Sequence, residues 1–250
     1  MHATNRARWR APWLVVGLAA IGVMALTLGV VHFAPTHCPE ALLRAVMVPA
    51  RAGSAPDTGA VAGEAVFYDP TAVGGRCSIA PLTSGGLYAS LPRSRYRDGA
   101  LCGAYLDIAG PLGTVRAQVV DMCPGCSDAQ LDLSVAAFAR IQQPSHGMAP
   151  VTWQVARDPA LPGPLAVRVG PGSTTTQIAL QVLNHGNPLV AVTIDGKPAT
   201  LRADGYWIGL GDGPGPFQVQ VTDTAAHTAA LTGILLSVNT VQQTSVPMYG

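Results

Sequence analysis

Two aspartates near the middle of the chain have the residue type and the setting for acid–base chemistry. Asp121 ends an apolar run that begins at Val119, and Asp132 lies between Leu131 and Leu133. A carboxylate flanked by buried leucines is partly desolvated, and desolvation raises its pKa toward that of a general acid. Two such groups facing one groove would suffice for glycoside cleavage, for which an inverting mechanism requires a separation of roughly 6.5–9.5 Å. The alternative is structural: Asp121 caps the following turn, and Asp132 caps the helical region after Leu133.

The cysteines offer a second kind of chemistry. The chain has five of them: Cys38, Cys77, Cys102, Cys123 and Cys126. A C-P-G-C spacing also occurs in thioredoxin-type redox pairs and in half of a zinc site, but no second C-x-x-C or H-x-x-x-H supplies further ligands, and the βαβ context of thioredoxin is absent. We favour structural disulfides, Cys77–Cys102 and Cys123–Cys126, over metal binding or redox activity, and we expect no metal and no cofactor. Cys38 is then free or intermolecular.

Composition and the N-terminus exclude several classes of function. The 250 residues are 48% apolar and 12% charged with a net charge of +1, so the chain is neither disordered nor suited to nucleic acid. The uncharged run at 13–31 follows three arginines and is long enough to span a bilayer. We therefore expect export, with residues 1–33 acting as a retained signal anchor or a cleaved signal peptide. Residues 34–62, rich in Pro, Ala, Gly and Ser, are expected to form a flexible linker.

Residues 63–157 are predicted to form a strand-rich barrel that carries one short helix. Short apolar runs, partly alternating with polar residues, recur between glycines and prolines, which is typical of β-strands. These runs are 65–68, 86–91, 104–110, 114–121 and 150–156. Residues 134–141 instead place apolar side chains at helical spacing, with Ser134 available as the N-cap.

A second domain is predicted after a short linker. Residues 158–164 contain three prolines, which interrupt any continuous element and mark the domain boundary. Residues 165–250 show six or seven short strand patterns and no helical pattern, which favours a small β-sandwich. The strand patterns are 165–169, 176–183, 189–194, 206–210, 216–223 and 233–238.

Several motifs, in unbroken order from residue 63 to residue 250, resemble those of bacterial expansins. In the first domain they are Gly63-Glu-Ala-Val-Phe-Tyr68, Val120-Asp121-x-Cys-Pro-x-Cys126, Leu131-Asp132-Leu-Ser134 and Phe138-Ala-Arg-Ile141. In the second domain they are Asn184-His-Gly-Asn-Pro-Leu189, Gly213-Pro-Gly-Pro-Phe217 and Val221-Thr-Asp223. The resemblance implies a mainly β protein in which a six-stranded double-psi β-barrel abuts an immunoglobulin-like β-sandwich. It also implies a protein that loosens plant-type walls without measurable polysaccharide cleavage.

The resemblance assigns site residues in the barrel. It implies that Asp132 is the key acidic residue and that Asp121 is its partner in a groove, which Val66 and Tyr68 would also line. Val66 stands where the family usually has threonine, so one groove hydroxyl is missing. Cys123 stands where some relatives carry tyrosine, although a branch of the family has C-P-x-C.

The second domain departs further from the family pattern. The family's sandwich binds cellulose through a flat row of exposed aromatic residues. Two adjacent tryptophans of that row would align with Thr176 and Gln177, and a tyrosine would align near Gly205. Losing two rings that each bury on the order of 150 Å² would remove several kcal/mol of binding free energy. Tyr206 and Trp207 are expected either to replace these rings as substrate-binding residues or to belong to the core.

Three functions are compatible with these patterns. We favour an exported, monomeric protein, extracellular or periplasmic, that binds cell-wall polysaccharide (cellulose, hemicellulose or peptidoglycan) and loosens it without hydrolysis. The second hypothesis is an enzyme on the same barrel, an endoglucanase or a peptidoglycan lytic transglycosylase, with Glu64 or Asp69 as a further acidic group. The third is a non-catalytic interaction module.

Overall fold

The computed structural model describes residues 59–73 and 75–250. The predicted anchor at 1–33, Cys38 and the linker up to residue 58 lie outside the described residues. Within the described part of the chain, no helix is long and apolar enough to cross a membrane.

Six strands close into a barrel in the spatial order β1-β5-β2-β4-β3-β6. They are β1 (Val61–Tyr68), β2 (Tyr88–Pro92), β3 (Tyr105–Gly110), β4 (Gly113–Cys123), β5 (Leu131–Ser134) and β6 (Ala149–Val155). β1 pairs with β5, and β2 with β4, in parallel, whereas the other neighbours pair antiparallel. The predicted strand runs are confirmed, and β5 adds a strand on the Leu131–Ser134 motif. The double-psi designation stays a prediction.

The barrel closes because alternate side chains on its strands are apolar and point inward. Leu106, Ile108, Val119, Leu131 and Leu133 are each at most 1% exposed. The intervening residues of these strands face outward, so the polar positions of the sequence form the outer surface of the barrel.

Three one-turn helices lie between the described barrel strands: α1 (Pro70–Val73), α2 (Arg93–Tyr96) and α3 (Val135–Phe138). The Ser134 side chain accepts a hydrogen bond from the Ala137 N–H and caps α3, as predicted. The helix ends at Phe138, and residues 139–141 continue as turns rather than as the longer helix predicted to reach residue 141.

The second domain consists of two antiparallel sheets that share one apolar core. One sheet has the order β10-β9-β13-β14 and the other has the order β11-β12-β8-β7-β15. The strands are β7 (Ala166–Val169), β8 (Gln177–Leu183), β9 (Leu189–Ile194), β10 (Lys197–Pro198), β11 (Thr200–Leu201), β12 (Trp207–Leu210), β13 (Phe217–Asp223), β14 (Thr228–Ile234) and β15 (Val241–Gln243). The predicted strand at 233–238 is wrong, because the strand lies at Thr228–Ile234 and the chain then leaves the sheet. The immunoglobulin-like designation stays a prediction.

The barrel and the sandwich contact each other around the Cys77–Cys102 disulfide. From the sandwich, the Gln181 side-chain amide donates to the Cys77 carbonyl at 2.6 Å. From the barrel, the Tyr96 hydroxyl donates to the Ala203 carbonyl at 2.5 Å. Both hydrogen bonds cross the junction, so the disulfide fixes the barrel segment on which the sandwich rests.

The linker at 158–164 is held by hydrogen bonds from the sandwich. The Asp158 N–H donates to the Asn187 side chain at 2.8 Å, and the Asn187 amide donates back to the Asp158 carboxylate at 2.7 Å. The Tyr249 hydroxyl donates to the Pro159 carbonyl at 2.6 Å. These contacts hold the segment that leads from the barrel into the sandwich.

Candidate functional site

Four outward-facing residues form one row across four neighbouring strands, which we call the carboxylate row. Val66 of β1 is the register partner of Asp132 of β5. Ser90 of β2 is the partner of Asp132 on one side and of Asp121 of β4 on the other. Side chains directly opposite each other on paired strands have Cβ atoms about 4.5–5.5 Å apart. The row therefore brings two carboxyl groups together with one hydroxyl between them.

Asp121 is held by hydrogen bonds on both oxygens. Its Oδ1 accepts from the backbone N–H groups of Arg76 and Met122, each at 2.7 Å. The Tyr68 hydroxyl donates to Oδ2 at 3.5 Å, a long hydrogen bond. Asp121 thus binds a backbone group of its own strand and one of a distant segment, not of the following turn as the structural alternative predicted, and it also faces the Tyr68 phenol.

Asp132 has a different environment, although it lies in the same row. The flanking Leu131 and Leu133 are fully buried, and the aspartate itself is half-buried. Burial, and then the negative charge of Asp121, raises the pKa of Asp132 to about 6. Its Oδ1 atom is buried and has no hydrogen-bond partner within the described part of the chain. The prediction that Asp132 caps the following helix is wrong, since Ser134 is the cap.

The Cys123–Cys126 disulfide lies beside Asp132. Both sulfur atoms are within 4.8 Å of a carboxylate oxygen of Asp132. The disulfide contributes polarizable, weakly hydrogen-bonding surface there, which fits the desolvation of this carboxyl. Both predicted disulfides are confirmed, and oxidised sulfurs cannot serve as thiolate ligands for a metal.

Tyr68 and Val66 lie on the same face of β1. The pKa of Tyr68 is raised, first by burial and then by the charges of Asp121 and Asp132. The neighbouring Ser90 hydroxyl opposes part of this rise in the pKa of Tyr68. Val66, beside Asp132, offers no hydroxyl to this network.

Ser90 was missed by the sequence analysis. It is 2% exposed and lies in the middle of the row. In the sequence it is a serine between the apolar residues Ala89 and Leu91. The alternation Tyr88, Ser90 is the signal that would have placed it on the outer face of β2.

Tyr206 and Trp207 do not form an exposed binding surface. They are 5% and 8% exposed, and Trp207 packs in the sandwich core. The alternative that they replace the missing aromatics as substrate-binding residues is therefore wrong, because no ring face is open to a polymer. Thr176 and Gln177 are exposed at the start of β8, where their side chains offer no aromatic surface.

The two further acidic candidates lie near this face but outside the carboxylate row. Glu64 is exposed on β1, two residues before Val66, and its register partner is Pro150 of β6. Asp69 is exposed after the end of β1, where its Oδ1 accepts from the Thr71 N–H and hydroxyl.

Comparison with known proteins places this architecture in a family. No protein-family model matches the chain. The chain is 32% identical over 128 residues to Expansin-YoaJ of Bacillus subtilis, an alignment that spans 50% of this chain and about half (55%) of that relative. The crystal structure of the Clavibacter michiganensis expansin without ligand superimposes with a TM-score of 0.71 and 34% identity, covering 77% of this chain and 99% of that one. An aspartate-to-asparagine variant of the same expansin, solved in complex with cellohexaose, matches equally well. Given this coverage and identity, the chain belongs to the bacterial expansins.

Proposed function

We propose that this expansin binds an extended, cellulose-type β-glucan of the cell wall along the carboxylate row and loosens the polymer without hydrolysing it, outside the cytoplasm. The cellohexaose complex of the Clavibacter relative supports a glucan as the ligand class. Asp132 is the residue on which binding depends, and Asp121 and Tyr68 set its surroundings.

The observation that carries the proposal is the half-exposed carboxyl of Asp132, whose buried oxygen Oδ1 has no hydrogen-bond partner among the described residues. A buried oxygen without a hydrogen bond is unfavourable by about 1–3 kcal/mol, so such atoms are rare unless a ligand or solvent completes them. A glucan presents a hydroxyl donor on nearly every ring. Although the pKa of Asp132 is raised to about 6, it stays below 7, so the ionised form prevails at neutral pH and its oxygen is then the stronger acceptor.

Asp121 is arranged to hold structure rather than to activate water. A general base or nucleophile needs an oxygen directed at the substrate. Both oxygens of Asp121 are engaged, by Arg76, Met122 and Tyr68. This supports a binding function for the row and gives only one carboxyl, Asp132, an uncommitted oxygen.

The raised pKa of Asp132 also suits a general acid, which favours the second candidate, a lytic or hydrolytic enzyme on the same barrel. In that case Asp132 would donate a proton to the leaving oxygen. The two candidates differ in one observable, the release of sugar fragments.

The test uses the full chain and its Asp132→Asn variant with three substrates: cellulose, whole plant wall and peptidoglycan. Pellet-bound protein and newly released sugars are measured together, and wall extension under load is followed in parallel. We expect Asp132-dependent retention and extension on a glucan-containing wall, with no released fragments. Fragment release that requires Asp132 would replace the proposal with the enzyme. Retention and extension unchanged in folded Asp132→Asn would overturn the assignment of the row.

A further inference from the structure

The Cys123–Cys126 disulfide lies in the chain segment that joins the two aspartates of the carboxylate row. β4 carries Asp121 and ends at Cys123, and β5, which carries Asp132, begins at Leu131. The disulfide therefore closes the first turn of this connection. Both sulfur atoms lie within 4.8 Å of a carboxylate oxygen of Asp132. A chemical change at the sulfurs thus acts directly on the surroundings of this carboxyl.

This disulfide is open to solvent. Cys123 and Cys126 are partly exposed, and Pro124 and Gly125 between them are exposed. Apart from the chain neighbours of Gly125, no atom lies within 4 Å of the point where a Cβ would stand at this position. A small molecule can therefore approach the turn from outside.

The Cys77–Cys102 disulfide is enclosed at the junction with the sandwich. Cys77 is 0% exposed, and the Cys102 sulfur lies 3.1 Å from the Tyr96 hydroxyl. A Cβ at Gly205 of the sandwich would stand 3.5 Å from the same sulfur, so the sandwich covers it. Thiol–disulfide exchange requires that a thiolate reach a sulfur atom. A reductant therefore reacts with Cys123–Cys126 first.

The rest of the connection between β4 and β5 is held by groups other than the disulfide. The Ser94 hydroxyl donates to Oδ1 of Asp128 at 2.8 Å, and the Trp153 indole N–H donates to the Ala129 carbonyl at 3.3 Å. The two cysteines are separated by only 3 positions, and closing so short a loop restricts the chain little. Opening the disulfide therefore acts locally, at the sulfurs and at Asp132.

Reduction adds hydrogen-bond donors beside the unpartnered oxygen of Asp132. A disulfide sulfur carries no hydrogen, whereas each thiol has one S–H donor. Oδ1 of Asp132 is buried and accepts no hydrogen bond from the described residues. Because one negative charge disfavours a second nearby, the carboxylate keeps the sulfurs protonated at neutral pH. A thiol can then donate to this oxygen, and a sugar hydroxyl has to displace it.

We infer that Cys123–Cys126 is a thiol–disulfide exchange site that sets the glucan affinity of the carboxylate row, with the dithiol form binding more weakly than the disulfide form. The inference rests on the proposed function and adds its regulation. The reductant is a small dithiol. One of its thiolates attacks either sulfur, the S–S bond breaks, and its second thiolate releases the mixed disulfide. The reductant leaves as its own disulfide, and two electrons and two protons remain on Cys123 and Cys126.

The experiment measures the cellohexaose affinity of the full chain by calorimetry, with Cys38→Ser introduced so that no fifth thiol takes part. Dithiothreitol is raised in steps, and alkylation followed by peptide mass spectrometry identifies the cysteines that have opened. We expect Cys123 and Cys126 to open while Cys77–Cys102 stays closed, with the affinity falling roughly three- to tenfold. Reoxidation should restore the affinity.

Two matched double variants separate the new donors from the loss of the crosslink. Cys123→Ser with Cys126→Ser supplies permanent hydroxyl donors and should bind as weakly as the reduced protein. Cys123→Ala with Cys126→Ala supplies none and should bind within about twofold of the disulfide form. Circular dichroism and thermal unfolding establish that each variant is folded.

The outcomes separate this inference from the proposed function. If glucan binding requires Asp132 but is unchanged once Cys123 and Cys126 are open, the inference is refuted and the proposed function stands. If the disulfide form binds no glucan, both fall. Opening of Cys77–Cys102 before or together with the exposed pair would overturn the assignment of the exchange site. An equal loss of affinity in the alanine and serine variants would assign the effect to the missing crosslink and overturn the inference. Should either double variant fail to fold, reduction and reoxidation of the chain with all four cysteines decide alone.

Discussion

Replacing Asp132 with asparagine should stabilise the folded protein at neutral pH while removing its function. The pKa of Asp132 is raised from 3.8 to about 6. A group whose pKa is raised on folding binds its proton more tightly in the folded state. Its favourable contribution is complete below about pH 4 and is lost as the pH rises through 6. Asp132→Asn carries no charge and loses nothing over this range.

The size of this stabilisation follows from the pKa shift of Asp132 and from how far its side chain is exposed. About two pKa units correspond to about 3 kcal/mol at 1.36 kcal/mol per unit. Because Asp132 is only half-buried, solvent screening reduces this to roughly 1–1.5 kcal/mol. We expect Asp132→Asn to equal the unmodified protein in free energy of unfolding near pH 4 and to exceed it by that amount at pH 7.

The assay is denaturant unfolding of both proteins at several pH values between 4 and 8, because the difference between them isolates the one titrating group. Asp69→Asn is the control. The exposed Asp69 carboxylate has a pKa lowered by its hydrogen bonds from Thr71, so its loss should not stabilise the protein at pH 7. A stability difference at Asp132 that is independent of pH, or that has the opposite sign at pH 7, would refute the reasoning.

Three further predictions concern the residues around the site. Reducing Cys123–Cys126, or changing both cysteines to serine, should lower the pKa of Asp132, as followed by carboxyl NMR; an unchanged pKa would show that the disulfide does not desolvate it. Trp207→Ala removes a buried ring and should lower the free energy of unfolding by about 3–5 kcal/mol, measured by denaturant unfolding, yet the folded variant should keep its glucan affinity. Gln181→Ala leaves the buried Cys77 carbonyl without that donor and should destabilise the protein by about 1–3 kcal/mol, with loss of cooperativity between barrel and sandwich seen by calorimetry.

The period-two pattern predicted most of the barrel because each run alternates between core and surface. The β5 strand was harder to recognise, since Leu131–Ser134 is only four residues long and runs directly into α3. The raised pKa of Asp132 could be predicted because Leu131 and Leu133, its neighbours in sequence on the same strand, are apolar and buried. Local sequence therefore predicted the environment of one carboxyl and the direction of its pKa shift.

Relations across strands could not be predicted in the same way. Ser90 joins Asp121 and Asp132 only because the bulge after Ala89 sets the β2–β4 register, and a shift of one residue would turn its side chain into the core. Tyr88 and Tyr105 are far apart in sequence and meet through Gln118 of a third strand. The location of such rows depends on strand order, which short apolar runs do not encode.

The sandwich shows the opposite problem, in which an apolar pattern is ambiguous about burial. Trp207 alternates correctly for either face of β12, and only the packing of the second sheet makes its face the interior. The run at 233–238 is apolar enough for a strand, but Leu235 and Val238 are 56% and 40% exposed after β14 has ended. Composition alone does not distinguish an exposed apolar loop from a strand.

The carboxylate row concentrates features that the rest of the barrel avoids: a half-buried carboxyl with an unpartnered oxygen, next to a second carboxyl. Such an arrangement lowers stability at neutral pH and persists where a ligand completes it. A sugar hydroxyl that donates to Oδ1 of Asp132 would restore the missing hydrogen bond only in the complex. Stability and binding are then opposed at this residue. If the proposed function holds, the asparagine that should make the free protein more stable also removes the charged acceptor for the glucan, so the same variant should gain stability and lose affinity.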